Sequence, residues 1–170
     1  MIFNFLLSCS RNEGEVKFTT NISNNISDSL VITGGITLGS NALTLNTVRG
    51  MRIGEQGVAS SKITGLGSVI KNTGTDTLVM NSSNDYSGAT TVSTGVVVLK
   101  TATGLGNGTG TSDNTSIASG AAVRLEISGA TISEHFSING TGAVTGTGAI
   151  RVPSTSAGNT LSGTITIASA

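Results

Sequence analysis

From Leu78 the even positions run Leu78, Met80, Ser82, Asn84, Tyr86, Gly88, Thr90 and Val92, while the odd ones are Val79, Asn81, Ser83, Asp85, Ser87, Ala89 and Thr91. Apolar bulk falls mainly on one parity. Successive side chains of an extended chain point to opposite faces, so this predicts a strand with one buried face. The face changes at Gly95, where Val96-Val97-Val98-Leu99 begins a second strand after a glycine turn. Similar segments recur at 28–33, 35–38, 42–46, 67–71, 115–118, 121–127, 135–138, 148–152 and 163–167. Turn-rich stretches such as "TATGLGNGTGTSDN" separate them, and no segment has helical periodicity. The pattern predicts an all-β chain with short connections.

The chain also repeats itself. A shift of 25 lays 91–98 on 116–123, with Gly95 on Gly120 and Val98 on Val123. A shift of 75 lays 84–93 on 159–168, matching Asn84 with Asn159, Ser87 with Ser162 and Gly88 with Gly163. The same shift lays 63–69 on 138–144, with Gly65 on Gly140 and Gly67 on Gly142. Short strands and glycine turns repeating at this length predict a β-solenoid with coils of roughly 20–25 residues. One such coil buries too few aliphatic side chains to offset its own ordering entropy, so stability belongs to the stack.

Composition narrows the chemistry. Of 170 residues 36% are hydrophobic but only 3% aromatic, with 24 Gly and no Trp, so the core must be thin layers of Val, Ile, Leu, Ala and Thr. Nine basic and nine acidic residues cancel, and no Lys/Arg run is present, which removes the usual source of nucleic-acid affinity. A single cysteine, Cys9, excludes a disulfide framework within the chain and a multi-thiolate zinc site. No stretch approaches the roughly 20 apolar residues of a membrane-spanning helix. Leu6-Leu7-Ser8-Cys9 has the outline of a lipoprotein cleavage box, but no basic residue precedes it.

Residues 71–99 resemble the autotransporter-associated β-strand repeat, also called the passenger-associated transport repeat, whose pattern reads G-x-G-x-L-x-L-x-G-x-N-x-Y-x-G-x-T-x-V-x-x-G. Gly74, Leu78, Met80, Asn84, Tyr86, Gly88, Thr90, Val92 and Gly95 fall in register with it. Asp76 and Ser82 stand where the pattern has glycines, and Lys71 lies one place early. A looser similarity extends from about residue 60 to the end. The resemblance implies a right-handed parallel β-helix within a large secreted or surface-displayed bacterial protein, and it implies no reaction. Tyr86 takes the aromatic position of the repeat and Leu161 the equivalent place 75 residues on, which makes it a packing position.

Enzymatic chemistry on such a fold needs two or three carboxylates on neighbouring coils. The acids are Glu13, Glu15, Asp28, Glu55, Asp76, Asp85, Asp113, Glu126 and Glu134, and only Glu13 and Glu15 share a parity within one short segment. His135, the only histidine, follows Glu134 with no nucleophile motif around a Ser, and reads as a surface or turn residue. "GLGNG" at 104–108 lacks the Lys-Ser/Thr of a phosphate loop. No catalytic, metal or cofactor site is therefore expected.

These readings converge on a non-catalytic passenger or stalk segment of an autotransporter-like protein, outside the cell or at its surface, with adhesive faces. Residues 1–15 are expected to be a cap or a spurious start, and 16–170 the β-helix with the repeat centred on 71–99. No translocator barrel follows Ala170, so the chain is expected to be a fragment. Its partners would be neighbouring coils of a longer chain, copies of itself end to end, or surface glycans and proteins. The rival readings are a glycan-binding adhesin or fibre module, for which Phe18, Phe136 and Tyr86 are few and scattered, and a β-helix polysaccharide lyase or hydrolase.

Overall fold

A computed structural model describes residues 7–12, 15–20, 30–47, 50–107, 114–144 and 147–169. These residues form strands and turns, and no helix occurs among them. One sheet has eight strands, in the order Leu7–Asn12, Glu15–Thr20, Ala42–Thr47, Val69–Thr73, Thr90–Val92, Thr115–Ile117, Phe136–Asn139 and Ile165–Ser169. A second has six, in the order Leu30–Ile32, Met51–Ile53, Thr77–Met80, Gly95–Leu99, Ala121–Leu125 and Ile150–Arg151. Two-residue strands pair on a third side, Ile36–Thr37 with Ile63–Thr64 and Thr131–Ile132 with Thr160–Leu161. Every pairing is parallel except the first, where Leu7–Asn12 lies antiparallel on Glu15–Thr20.

The chain visits the first sheet, the second and the third side in turn, advancing one strand with each circuit. Long parallel sheets threaded in this order are compatible with a β-helix. Along the first sheet Leu43, Val69, Thr90, Thr115, Phe136 and Ile165 are successive partners, so the circuits take 26, 21, 25, 21 and 29 residues. No single period of 25 holds, because the corners differ in length while the strands stay in register.

The repeat equivalences separate into true and false ones. Thr90 and Ile165, three circuits apart, share a column, as do Val92 and Ile167, so the 75-residue match of 84–93 with 159–168 is a structural equivalence. The match of 63–69 with 138–144 is not, since Ile63 lies on the third side and Ile138 in the first sheet. The 25-residue match holds for Thr91 and Val92 on Ser116 and Ile117. It fails one corner later, where Gly95 pairs with Ala121 and Val98 with Arg124. The turn before Ala121 is one residue longer. Residues 78–92 are likewise two strands and a corner rather than one strand, yet the even positions from Leu78 to Tyr86 stay buried throughout.

Inward columns make the core. Met51, Leu78, Val97 and Val123 stack in the second sheet, beside Ile53, Met80, Leu99 and Leu125, and all eight are buried. In the first sheet Leu45, Lys71, Val92 and Ile117 form one column, with a lysine as its second rung. The core, expected from composition to be aliphatic, also takes in Phe136 and, at the packing position read from the sequence, Tyr86; Glu134 is buried as well.

Candidate functional site

The repeat positions cluster at one corner and the two strands beside it. Leu78 and Met80 are core residues of Thr77–Met80, and Thr90 and Val92 point inward from the next strand of the first sheet. Between them Asn84 is buried and joins three circuits. Its Oδ1 accepts from the Ile63 N–H at 2.8 Å and from Ser82 Oγ at 3.0 Å, and its Nδ2 donates to the Gly104 carbonyl at 2.7 Å. Asn159, half-buried, makes a similar pair of bonds but both to the preceding circuit, accepting from the Ala130 N–H and donating to the Ile127 carbonyl. A corner cannot continue the strand ladder, and the amide supplies the donor and acceptor that the turning backbone lacks. Asn84→Ala leaves both groups buried and unpaired, and a urea titration should show a loss of about 3 kcal/mol.

Tyr86 is fully buried, and its hydroxyl lies 2.6 Å from Thr90 Oγ1, also buried. The phenol therefore packs and also satisfies a threonine inside the first sheet. Leu161 holds the equivalent register on Ile132 but is only half-buried, so its tolerance of an aliphatic side chain does not carry back to position 86. Tyr86→Phe should cost about 1 kcal/mol, and Tyr86→Leu about 3 kcal/mol through an added cavity, measured by the same titration.

The glycines fit backbone against backbone. A Cβ on Gly88 would lie 2.4 Å from the Gly67 carbonyl oxygen, and one on the equivalent Gly163 would lie 2.0 Å from that of Glu134. Gly95, at φ 69°, sits over the turn of Gly74, whose φ is 86°. Ser82, a departure from the repeat pattern, is accommodated because Gly54 lies beneath it in the preceding circuit, where a Cβ would meet Ser82 Oγ at 2.1 Å.

Lys71 was not among the sequence candidates. Its Nζ donates to the Gly74 carbonyl at 2.7 Å, and the side chain is 1% exposed. Burial pushes its pKa down from 10.5 to about 8, partly offset by the charge of Asp76. Only its even spacing from Val69 signalled an inward lysine, and that signal is indistinguishable from an ordinary strand position.

The acids are not brought together. Glu134 is buried and accepts from Thr115 Oγ1 at 2.7 Å, toward the preceding circuit. His135 Nδ1 accepts from the Thr164 N–H at 3.0 Å, toward the following one. That bond places the proton of a neutral ring on Nε2. Glu126 lies beyond the second sheet between Lys100 and Arg124, and the Lys100 hydrogen bond is the main cause holding its carboxyl below the ordinary range. Asp85 pairs with Lys62, while Glu55 is exposed. Side chains of Glu13, Glu15, Asp28 and Asp113, with Cys9 and Phe18, lie outside those described, as do residues 108–113 of the glycine-rich turn. Among the described residues no group of three His, Cys, Asp or Glu could hold a metal, and no helix is long and apolar enough to cross a membrane. A shallow groove of about 260 Å³ beside His135 is lined by Asn114, Phe136, Ser137, Thr164 and Thr166. Comparison with family models, curated proteins and solved structures found no significant match to the chain.

Proposed function

We propose that the chain is a length of right-handed parallel β-helix serving as a non-catalytic stalk, a passenger-type segment of a secreted or surface-displayed protein. Right-handedness follows from the strong preference of parallel crossovers for that hand. The observation that carries the reading is how the repeat residues are used. Asn84 and Asn159 join circuits, Gly88, Gly95 and Gly163 let them approach, and Tyr86 with Thr90 closes a corner. The motif is spent on stacking. Glu126 and Glu134 occupy different sides of the circuit, each held by its own neighbours, which favours a scaffold over a lyase or hydrolase.

The partners of a stalk are further coils. Ile165 and Ile167 continue the inward columns of the first sheet at 46% and 71% exposure, a surface on which a coil of a longer chain or of a second copy would stack. Light scattering across a concentration series should then show self-association little affected by salt. The stalk reading itself is tested by fusing the chain ahead of an outer-membrane translocator barrel with an epitope at its amino end. Antibody should reach the epitope on intact cells. Retention inside the cell, or reproducible product release from polysaccharides that Glu134→Gln abolishes, would overturn the reading.

A further inference from the structure

Charges scattered in sequence become a row in the fold. Val31, Arg52, Val79, Val98, Arg124 and Arg151 are successive partners in the second sheet. Their neighbours Met51, Leu78, Val97 and Val123 are buried inward, so this column is the outer one. Lys100 and Glu126 flank it, each two residues along from a column member. Glu126 already bonds both Lys100 and Arg124. Four cations against one carboxylate leave a local surplus of three positive charges on a chain whose formal net charge is zero.

Arg124 and Arg151 are direct neighbours, about 4.8 Å apart along the row. Like charges directly opposite each other destabilise a sheet. The Nε atoms of both are shut away from solvent and have no hydrogen-bond partner. An oxyanion seated between two guanidinium groups relieves the repulsion and, with a small turn of either side chain, takes up these donors in forked geometry. Arg52 lies three rungs from Arg124, about 14 Å along a straight line, with the half-buried Val79 and the fully buried Val98 between.

We propose that this outer face binds an acidic polysaccharide. A sulfate or carboxylate of one residue would bridge Arg124 and Arg151, the chain would run along the row past the half-buried Val79, and a second anionic group would meet the exposed Arg52. The strands of this sheet contain no aromatic residue on which bases could stack, which disfavours nucleic acid. The inference does not depend on the stalk reading, since the row exists whatever the chain supports.

The test uses the full chain and fluorescein-labelled dextran sulfate, read by anisotropy across a salt series. Binding is expected, with log affinity falling linearly in log salt, and neutral dextran should not bind. Arg151→Gln should weaken binding about tenfold and reduce the salt slope by about one, and the exposed Arg52→Gln should reduce the slope similarly. Lys62→Gln, which removes a cation paired with Asp85 elsewhere, should change neither. Circular dichroism checks that each variant folds, and Arg52→Gln keeps the test decisive should Arg151→Gln fail to fold. The proposal is overturned by absent binding, by equal losses in Lys62→Gln and the arginine variants, by equal affinity for single-stranded DNA of matched charge, or by inorganic sulfate competing at matched charge as well as the polymer.

Discussion

Lys71→Met raises the unfolding free energy at pH 7 by about 2 kcal/mol. The amine is 1% exposed in a column of Leu45, Val92 and Ile117, and a methionine fills nearly the same volume without a charge to desolvate. The Gly74 carbonyl keeps a donor after the change, because Thr94 Oγ1 also reaches it at 3.0 Å. The pH dependence has a definite sign. Below about pH 8 the amine is charged in both states and the burial penalty is fully present. Between about 8 and 10.5 the folded chain has released the proton while the unfolded chain retains it, so wild-type stability climbs. The climb amounts to about 3 kcal/mol when complete. Urea titrations from pH 7 to 10.5 should show this rise in the wild type, and Lys71→Met should lack its contribution. A destabilised variant at pH 7 would mean that the bond to Gly74 outweighs the cost of burying the charge.

Gly67→Ala should be the most damaging single methyl in the described chain, costing at least about 4 kcal/mol. An added Cβ would lie 1.8 Å from the Asn41 carbonyl oxygen and 2.8 Å from its carbon, both rigid backbone of the preceding circuit. Relief would require parting two coils at a corner where the Leu43 N–H donates to the Ser68 carbonyl at 2.8 Å. Gly34 is the control, since a Cβ there meets nothing within 4 Å and its φ is not left-handed. Gly34→Ala should raise stability by about 0.5 kcal/mol by restricting the unfolded chain. Comparable losses at both positions would show that general glycine content, rather than close coil approach, governs stability.

The fold was legible where alternation ran long. The even-parity burial from Leu78 to Tyr86 and the change of face at Gly95 were both visible, and three true equivalences across three circuits could be read from Asn84 and Asn159, Tyr86 and Leu161, and Gly88 and Gly163. Two-residue strands such as Ile63–Thr64 and Thr131–Ile132 carry too little alternation to be seen. Met51–Ile53, a three-residue strand, was missed as well. Circuit length was misread because turns gain and lose residues freely while strand register is fixed by inward packing. Gly67 and Gly142 share flanking letters but lie in unlike places, which glycine-rich composition alone can produce. Interactions between circuits were the least accessible. Tyr86 with Thr90 is a local pair, but the row of Arg52, Arg124 and Arg151 exists only once the register is known.

Residues far apart in sequence should lie at distances set only by the number of rungs between them. Ile70, Thr91, Ser116, Ser137 and Thr166 form one outer column of the first sheet. Spin labels at Ile70→Cys and Thr166→Cys, with Cys9 replaced by Ser, span four rungs and should give a narrow distance distribution near 19 Å after allowance for the label arms. Moving the first label to position 91 should shorten it by about 4.8 Å. Distances that are broad, or that fail to step by one strand spacing per circuit, would contradict the parallel stack on which the whole account rests.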